Sequence, residues 1–334
     1  MANGKTIDVA ALIDRAREGD PRAVARLISQ VEDGSPQLRE VLAALAEQVA
    51  RRGARGSAYV VGLTGSPGVG KSTSTNALVT EYRARGRRVG VLAVDPSSPF
   101  SGGALLGDRV RMQDHATDPE VFIRSMASRG HLGGLAAATP QAARVLEAAG
   151  CDVILIETVG VGQSEIEVAS AADTTVVLLA PGMGDGIQAA KAGILEIGDV
   201  YVVNKADRDG ADATARELNH MLALGERRNP GDWRQPIVKT VAARGEGIAE
   251  VVEALEKHRA YLAETGLLAT RRRARAAAEI EAIALGALRT RFGSVHGGDD
   301  SPLRRLAERV AAGEIDPFTA ADELLADRQA RTEG

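Results

Sequence analysis

Tyr59-Val60-Val61-Gly62-Leu63-Thr64-Gly65-Ser66-Pro67-Gly68-Val69-Gly70-Lys71-Ser72 decides the fold of this chain. Tyr59–Leu63 is a short apolar run of β-forming residues, and Gly65–Ser72 fits G-x-x-x-x-G-K-[ST]. A helix pattern follows through Asn76, Leu78 and Val79. Glycines in such a loop let backbone N–H groups converge on phosphate oxygens, and the helix N-terminus adds partial positive charge. Gly65, Ser66, Pro67, Gly68, Val69, Gly70, Lys71, Ser72 and the adjoining Thr73 are therefore candidate phosphate ligands. Lys71 is expected to reach the β- and γ-phosphates, and the Ser72 hydroxyl to bind Mg²⁺. The alternative is a chance glycine turn, which the strand–loop–helix context argues against.

Outward from this loop, β-rich runs alternate with helix-like stretches from about Ser57 to about Thr240. The runs are Tyr59–Leu63, Val89–Val94, Val121–Ile123, Val153–Ile156, Thr174–Leu179, Val200–Val203 and Ile237–Val241. Several are continuously apolar, as a parallel sheet covered on both faces requires. Residues 7–52 read as helical, with Ile13, Val24, Leu27, Ile28 and Val31 at helical spacing and Asp20-Pro21 as N-cap and first helical residue. From Gly247 onward the pattern is helical again. The expected fold is an α/β P-loop NTPase, a mainly parallel central sheet flanked by helices, with N- and C-terminal helical extensions. The expected division is 1–55, 56–262 and 263–334.

A second strand end narrows the ligand. Val200–Val203 runs into Asn204-Lys205-Ala206-Asp207, the N-K-x-D pattern of guanine-specific proteins. Asp207 can accept from both the imino N–H and the exocyclic amine of guanine, a donor pair that adenine lacks. Lys205 can cover the base plane with its aliphatic stem. A site built on such bonds discriminates by factors of about 10⁴, because the wrong base leaves a polar group unpaired. Thr240-Val241-Ala242-Ala243-Arg244-Gly245 follows the next strand and resembles the loop that completes a base pocket, with Ala242 and Ala243 nearest the base. An ordinary strand-to-helix turn is the other reading of that segment.

Acidic strand ends supply the metal candidates. Val153–Ile156 delivers Glu157, followed by Thr158-Val159-Gly160, which resembles a D-x-x-G switch with Glu for Asp. The Gly160 N–H would sense the γ-phosphate. Val161 stands where many small GTPases carry a water-positioning glutamine, and Gln163 lies two positions on, so the ordinary glutamine mechanism is in doubt. Asp95 closes the run Val89–Val94, at the end of a strand where open α/β sheets bind ligands. Asp108, beyond a glycine-rich stretch, can ligate Mg²⁺ through water, orient the attacking water, or be a surface carboxylate.

Composition bounds the rest. The 334 residues are 44% hydrophobic and 26% charged with a net charge of -4, which gives no global drive toward nucleic acid or anionic membrane. The single cysteine, Cys151, forms no internal disulfide, fits a reducing cytoplasm and reads as a buried small residue. No apolar run approaches a membrane span, and the first twenty residues carry charges where a signal peptide needs an apolar stretch. Neither membrane nor nucleic-acid partners are expected.

GSPGVGKST, VLAVDPSSPFSGGALLGDR, RGHLGGL, IETVGVGQSE, PGMGDGIQAAKAGILEIGD and NKAD occur in this order along the chain. In that order they resemble the methylmalonyl-CoA-mutase-associated GTPases, the MeaB/ArgK family, over essentially the whole length. The resemblance implies a metallochaperone-like P-loop GTPase, homodimeric through its C-terminal extension. It would serve adenosylcobalamin-dependent methylmalonyl-CoA mutase by gating cofactor loading and protecting it from inactivation. The resemblance also implies catalytic roles for Asp108, Lys71 and Glu157, and a metal network of Ser72, Asp95, Asp108 and Glu157. Gln188 and Lys191 fall in a further loop that the family uses toward its partner; a polar helix face is the plainer reading. Hydrolysis is expected to be slow alone, since no arginine supplied in trans is identifiable in the sequence, and to be stimulated by the partner.

Three other readings remain open. Metal-insertion GTPases would need His- or Cys-rich transfer segments, and five scattered histidines with one cysteine offer none at ligand spacing. A transport-system kinase would prefer ATP, against the N-K-x-D pattern. An RNA-associated or protein-targeting GTPase would use Arg271-Arg272-Arg273-Ala274-Arg275, which reads instead as a solvated helix face or as dimer salt bridges. Leu303, Leu306 and Val310, then Phe318, Leu324 and Leu325, suggest an amphipathic helical pair that packs on its own domain or dimerises.

Overall fold

The structure, a computed structural model, describes residues 7–53, 57–96, 113–115, 117–128, 138–158, 170–182, 196–224, 231–292 and 302–332. Three helices come first: α1 (Val9–Arg17), α2 (Pro21–Glu32) and α3 (Leu38–Arg52). The Asp20 carboxylate accepts from the N–H groups of Arg22 and Ala23, and Pro21 opens α2. Such a cap contributes about 1 kcal/mol, because it satisfies donors that the helix leaves without partners.

Strands and helices then alternate: β1 (Tyr59–Thr64), α4 (Lys71–Ala84), β2 (Val89–Pro96), β3 (Val121–Ser128), α5 (Thr139–Ala148), β4 (Val153–Thr158), β5 (Thr174–Leu179), β6 (Val200–Asn204), α6 (Ala211–Leu224), β7 (Ile237–Thr240) and α7 (Ile248–Glu264). All seven strands form one sheet in the order β3-β2-β4-β1-β5-β6-β7, and every pairing is parallel. The run read as Val121–Ile123 extends to Ser128, because β2 pairs with it residue for residue as far as Pro96. The last strand stops at Thr240, one residue short of the sequence reading, since Val241 turns away to bridge Glu246.

The continuous apolar strands have a simple cause. In β1, Val60 faces one layer while Tyr59, Val61 and Leu63 face the other, so both pleat faces are buried. The first layer is built from α1, α2, α3 and α5, with Leu27, Ile28 and Leu45 packed among Leu92, Ile154 and Ile156. The N-terminal helices thus share the core of the sheet. The second layer places α4 and α7 over Val91, Leu155, Leu178 and Val202. A smaller cluster seats α6 on Val177, Tyr201 and Val203. Cys151 is fully buried, as its apolar character predicts.

The chain divides into two compact units, Met1–Arg275 and Ala276–Gly334. Helix α8 (Leu267–Phe292) begins in the first and ends in the second. The second unit also contains α9 (Pro302–Ala311) and α10 (Pro317–Thr332), the helical pair that the sequence suggests, tied by an Arg309–Glu323 ion pair of 2.5 Å. No helix among the described residues is long and apolar enough to cross a membrane.

The arginine run has partners that the sequence reading does not foresee. Arg272 and Arg275 hold the Asp173 carboxylate at 2.7 and 3.0 Å, and Arg271 holds Asp199 at 2.8 Å. Both aspartates stand immediately before buried strands, β5 and β6, at the N-terminal edge of the sheet. These three arginines are therefore a clamp of the start of α8 onto its own sheet, neither a solvated face nor dimer salt bridges. Burial alone would raise the Asp173 carboxyl, but the hydrogen bond from Arg272 and the charges of Arg275 and Arg272 hold it below its ordinary value.

Candidate nucleotide site

Because all seven strands are parallel, the segments that follow β1, β4, β6 and β7 emerge at one edge of the sheet. The loop after β1 runs from Gly65 to Gly70, and α4 begins at Lys71. Gly70 precedes that helix in the left-handed region (φ 94°), with no side-chain cap, so the first-turn N–H groups are available to an anion. A Cβ on Gly70 would stand 2.5 Å from Asn204 Nδ2, and one on Gly65 would stand 2.3 Å from the Leu178 carbonyl oxygen. Only glycine fits either place. Lys71 is 7% exposed and curls back over the loop, donating to the carbonyls of Gly65 (2.6 Å) and Ser66 (3.1 Å). Its ammonium therefore sits at the loop mouth, where phosphates would lie. Thr73 follows on the exposed side of the first turn.

Register brings the acidic strand ends beside the loop. Leu63 of β1 is level with Glu157 of β4, and Ala93 of β2 is level with the same residue. The Ser72 hydroxyl donates to Glu157 Oε1 at 2.5 Å, and both side chains are nearly buried. The Ser72 hydroxyl and the Glu157 carboxylate meet on the α4 face of the sheet and form an all-oxygen donor pair that suits a hard cation such as Mg²⁺. The backbone of Asp95 lies one residue past the Val94–Thr158 pairing, which places it at the same edge. The Asp95 side chain lies outside the described residues, as do Asp108, Gly160, Val161, Gln163, Gln188 and Lys191.

The base side is organised by Asn204, which is 2% exposed. Its amide donates to the Val69 carbonyl of the glycine loop at 2.9 Å. Its oxygen accepts from the Thr240 hydroxyl (3.1 Å) and from the Ala242 N–H (3.0 Å). One side chain thus ties the glycine loop to the loop after β7, and the Ala206 N–H adds a bond to the Thr240 carbonyl. Lys205 is the one non-glycine residue with positive φ (56°) among the described residues. That strained backbone turns its side chain across the glycine loop, where Nζ donates to the Gly68 carbonyl at 2.6 Å. Asp207 stands beyond it, half-exposed, with Oδ2 at 3.4 Å from Arg244 Nη1. Ala242 is buried and Ala243 exposed in the short 3₁₀ turn Ala242–Arg244.

The sequence-derived residues therefore converge: Gly65–Thr73, Glu157, Asn204, Lys205, Asp207, Ala242 and Ala243 occupy one edge of the sheet. Arg244 and Thr240 join them at this edge, although the sequence motifs assign neither a role. No local pattern marks them, since their partners Asp207 and Asn204 lie more than thirty residues earlier.

A strand–glycine loop–helix joined to an N-K-x-D strand end defines a P-loop protein of the GTPase type. The profile described as "Methylmalonyl Co-A mutase-associated GTPase MeaB" matches residues 24–295, and the chain belongs to that family. A protein of Pyrococcus abyssi named as a GTPase is 48% identical over 316 residues, covering 94% of this chain and 95% of that protein. The mouse protein named methylmalonic aciduria type A homolog, mitochondrial, is 35% identical over 318 residues, 92% of this chain and 76% of that one. Among solved structures, one described as a LAO/AO transport system kinase superposes with a TM-score of 0.69 at 27% identity, covering 98% of this chain and 99% of that one.

Proposed function

We propose that this protein binds GTP and GDP with Mg²⁺, hydrolyses GTP, and couples that cycle to an adenosylcobalamin-dependent methylmalonyl-CoA mutase. The single observation that carries the nucleotide reading is the Asn204 clip, which fixes the guanine-type loop directly over the phosphate loop. The family's description carries the reading of the client. In this reading Gly65–Thr73 and Gly160 surround the phosphates, Lys71 neutralises the β- and γ-oxygens, and Asp207 reads the base. Ser72, backed by Glu157, together with Asp95 and Asp108, would hold Mg²⁺, which when bound supplies charge neutralisation at the phosphates. Asp108 orients the attacking water. Residues 1–55 and 263–334 serve as helical extensions of a GTPase domain at 56–262, the latter extension for homodimerisation, in a reducing cytoplasm.

Hydrolysis alone is slow, and the client raises it. The test is phosphate release from GTP with and without added mutase, together with capture of mutase in GDP and in a non-hydrolysable GTP analogue. Unchanged hydrolysis and no capture in either state would end the mutase reading. The transport-kinase name of the structural relative suggests a second reading, which predicts that ATP displaces GTP. Competition between the two nucleotides in a binding titration decides between them.

A further inference from the structure

Arg244 stands beside the base-reading carboxylate and has no part in the roles assigned so far. Its guanidinium uses three edges. Nη1 faces Asp207 Oδ2 at 3.4 Å, Nε donates to Glu246 Oε1 at 2.7 Å, and Nη2 faces Glu246 Oε2 at 3.4 Å. Glu246 is itself fixed by its backbone, because its carbonyl accepts from the Val241 N–H at 3.0 Å across a short antiparallel bridge. The row Glu246–Arg244–Asp207 is thus anchored to the same turn that the Asn204 clip holds against the phosphate loop.

Building on the guanine reading above, we propose that Arg244 is a positioning residue that sets the orientation of Asp207 for the guanine edge and so governs guanine specificity. The physical case rests on what a carboxylate needs in order to read two donors at once. Both oxygens must face the imino N–H and the exocyclic amine together, which fixes the rotation of the carboxylate plane. Asp207 is half-exposed, and Arg244 is the side chain that faces its carboxylate. A carboxylate offers about four acceptor directions, and Arg244 occupies those of Oδ2 from one side. The remaining directions stay open to a base. An arginine fork held at its other edges by Glu246 is already ordered, so it orients Asp207 without further loss of freedom on binding.

Exposed ion pairs of this kind contribute little to stability. The row therefore matters for recognition and not for folding, and the two are separable by experiment. GDP and IDP differ only in the exocyclic amine, so the ratio of their affinities reads how well Asp207 is aimed. Calorimetric titration of both nucleotides into the full-length protein is compared for wild type, Arg244→Ala, Arg244→Lys and Asp207→Asn. Arg244→Ala is expected to weaken GDP about fivefold, the scale of one hydrogen bond, and IDP by less, so that the ratio shrinks. Arg244→Lys restores part of the ratio, and the melting temperature stays near that of wild type.

The proposal is overturned if Arg244→Ala keeps both the GDP affinity and the GDP:IDP ratio while Asp207→Asn loses GDP. An equal loss for both nucleotides, accompanied by a lowered melting temperature that lysine does not restore, also overturns it. That pattern would mark general support of the turn. Should Asp207→Asn itself retain full GDP affinity, the underlying base assignment fails, and the role of Arg244 fails with it.

Discussion

At the scale of single residues, the site is held by side chains whose partners are backbone groups of distant loops. Asn204 is the plainest case. Replacing it with alanine leaves the Val69 carbonyl, the Ala242 N–H and the Thr240 hydroxyl without their present partner in a nearly closed space. The expected cost is about 3 kcal/mol of unfolding free energy, from the penalty of buried polar groups left unpaired. Urea denaturation of Asn204→Ala against wild type measures it; a difference within error would mean that water enters and replaces the clip. Gly70→Ala acts on the same contact from the other side, since its Cβ would press on the Asn204 amide and its φ of 94° is strained for any side chain. GDP binding should fall at least tenfold in that variant, with titration as the check.

The residue scale also shows what the sequence could tell. N-K-x-D and the glycine loop were readable as two phosphate- and base-binding motifs, because local spacing carries them. That Asn204 joins them was not readable, since its acceptor Val69 lies 135 positions away. The Arg271–Arg275 run hides its role for the same reason: local composition shows only a charge run, while its partners Asp173 and Asp199 lie 99 residues before Arg272 and 72 before Arg271, in no pattern that periodicity detects, save that each precedes an apolar strand.

 

At the scale of elements, the start of α8 is tied to the sheet by charge. Removing one partner of a buried pair leaves the other charge uncompensated. Asp173→Asn should therefore cost about 3–5 kcal/mol, measurable as a fall in the denaturation midpoint. A loss below about 1 kcal/mol would mean that Arg272 and Arg275 find other acceptors.

The same region carries a titrating group. His258 of α7 is buried beside Thr174, with Nδ1 at 2.8 Å from its hydroxyl. Burial pushes its pKa down from 6.5 to about 4; Asp199 opposes that shift and Arg271 adds to it. The unfolded chain then binds the proton first, so stability is complete above about pH 6.5 and falls as pH drops toward 4. The loss is on the order of 3 kcal/mol. Denaturation of wild type and His258→Gln at pH 7 and pH 5 checks this, since the slope between those values should flatten in the variant. Equal slopes would assign the acid sensitivity to carboxylates such as Asp173 instead.

Strand identity at this scale was legible, because a strand buried on both faces is apolar throughout. Strand order was not. It depends on which crossover packs against which layer, and no residue of β1 announces that β4 and β5 will flank it.

At the scale of the whole molecule, large apolar side chains stand exposed in the second unit: Ile280, Ile283 and Leu285 of α8, Phe318 and Leu325 of α10. Phe318 is 84% exposed, and such concentrations on soluble proteins mark contact surfaces. The proposed homodimer would bury some of them. Ile280→Asp combined with Phe318→Asp is expected to convert a dimer to a monomer in sedimentation equilibrium, with GDP binding retained. An unchanged mass would place any dimer contact elsewhere.

The strand order also governs how the chain is made. β1 leaves the ribosome early, yet its two neighbours begin only at Val153 and Thr174. At ordinary elongation rates that gap is on the order of ten seconds, during which an apolar strand has both edges open. Parallel pairings across such separations close slowly. Synthesis therefore passes through a stage in which the nucleotide loop exists but the sheet that shapes it does not, and a nascent chain halted before Leu179 is a natural substrate for holding chaperones and for aggregation.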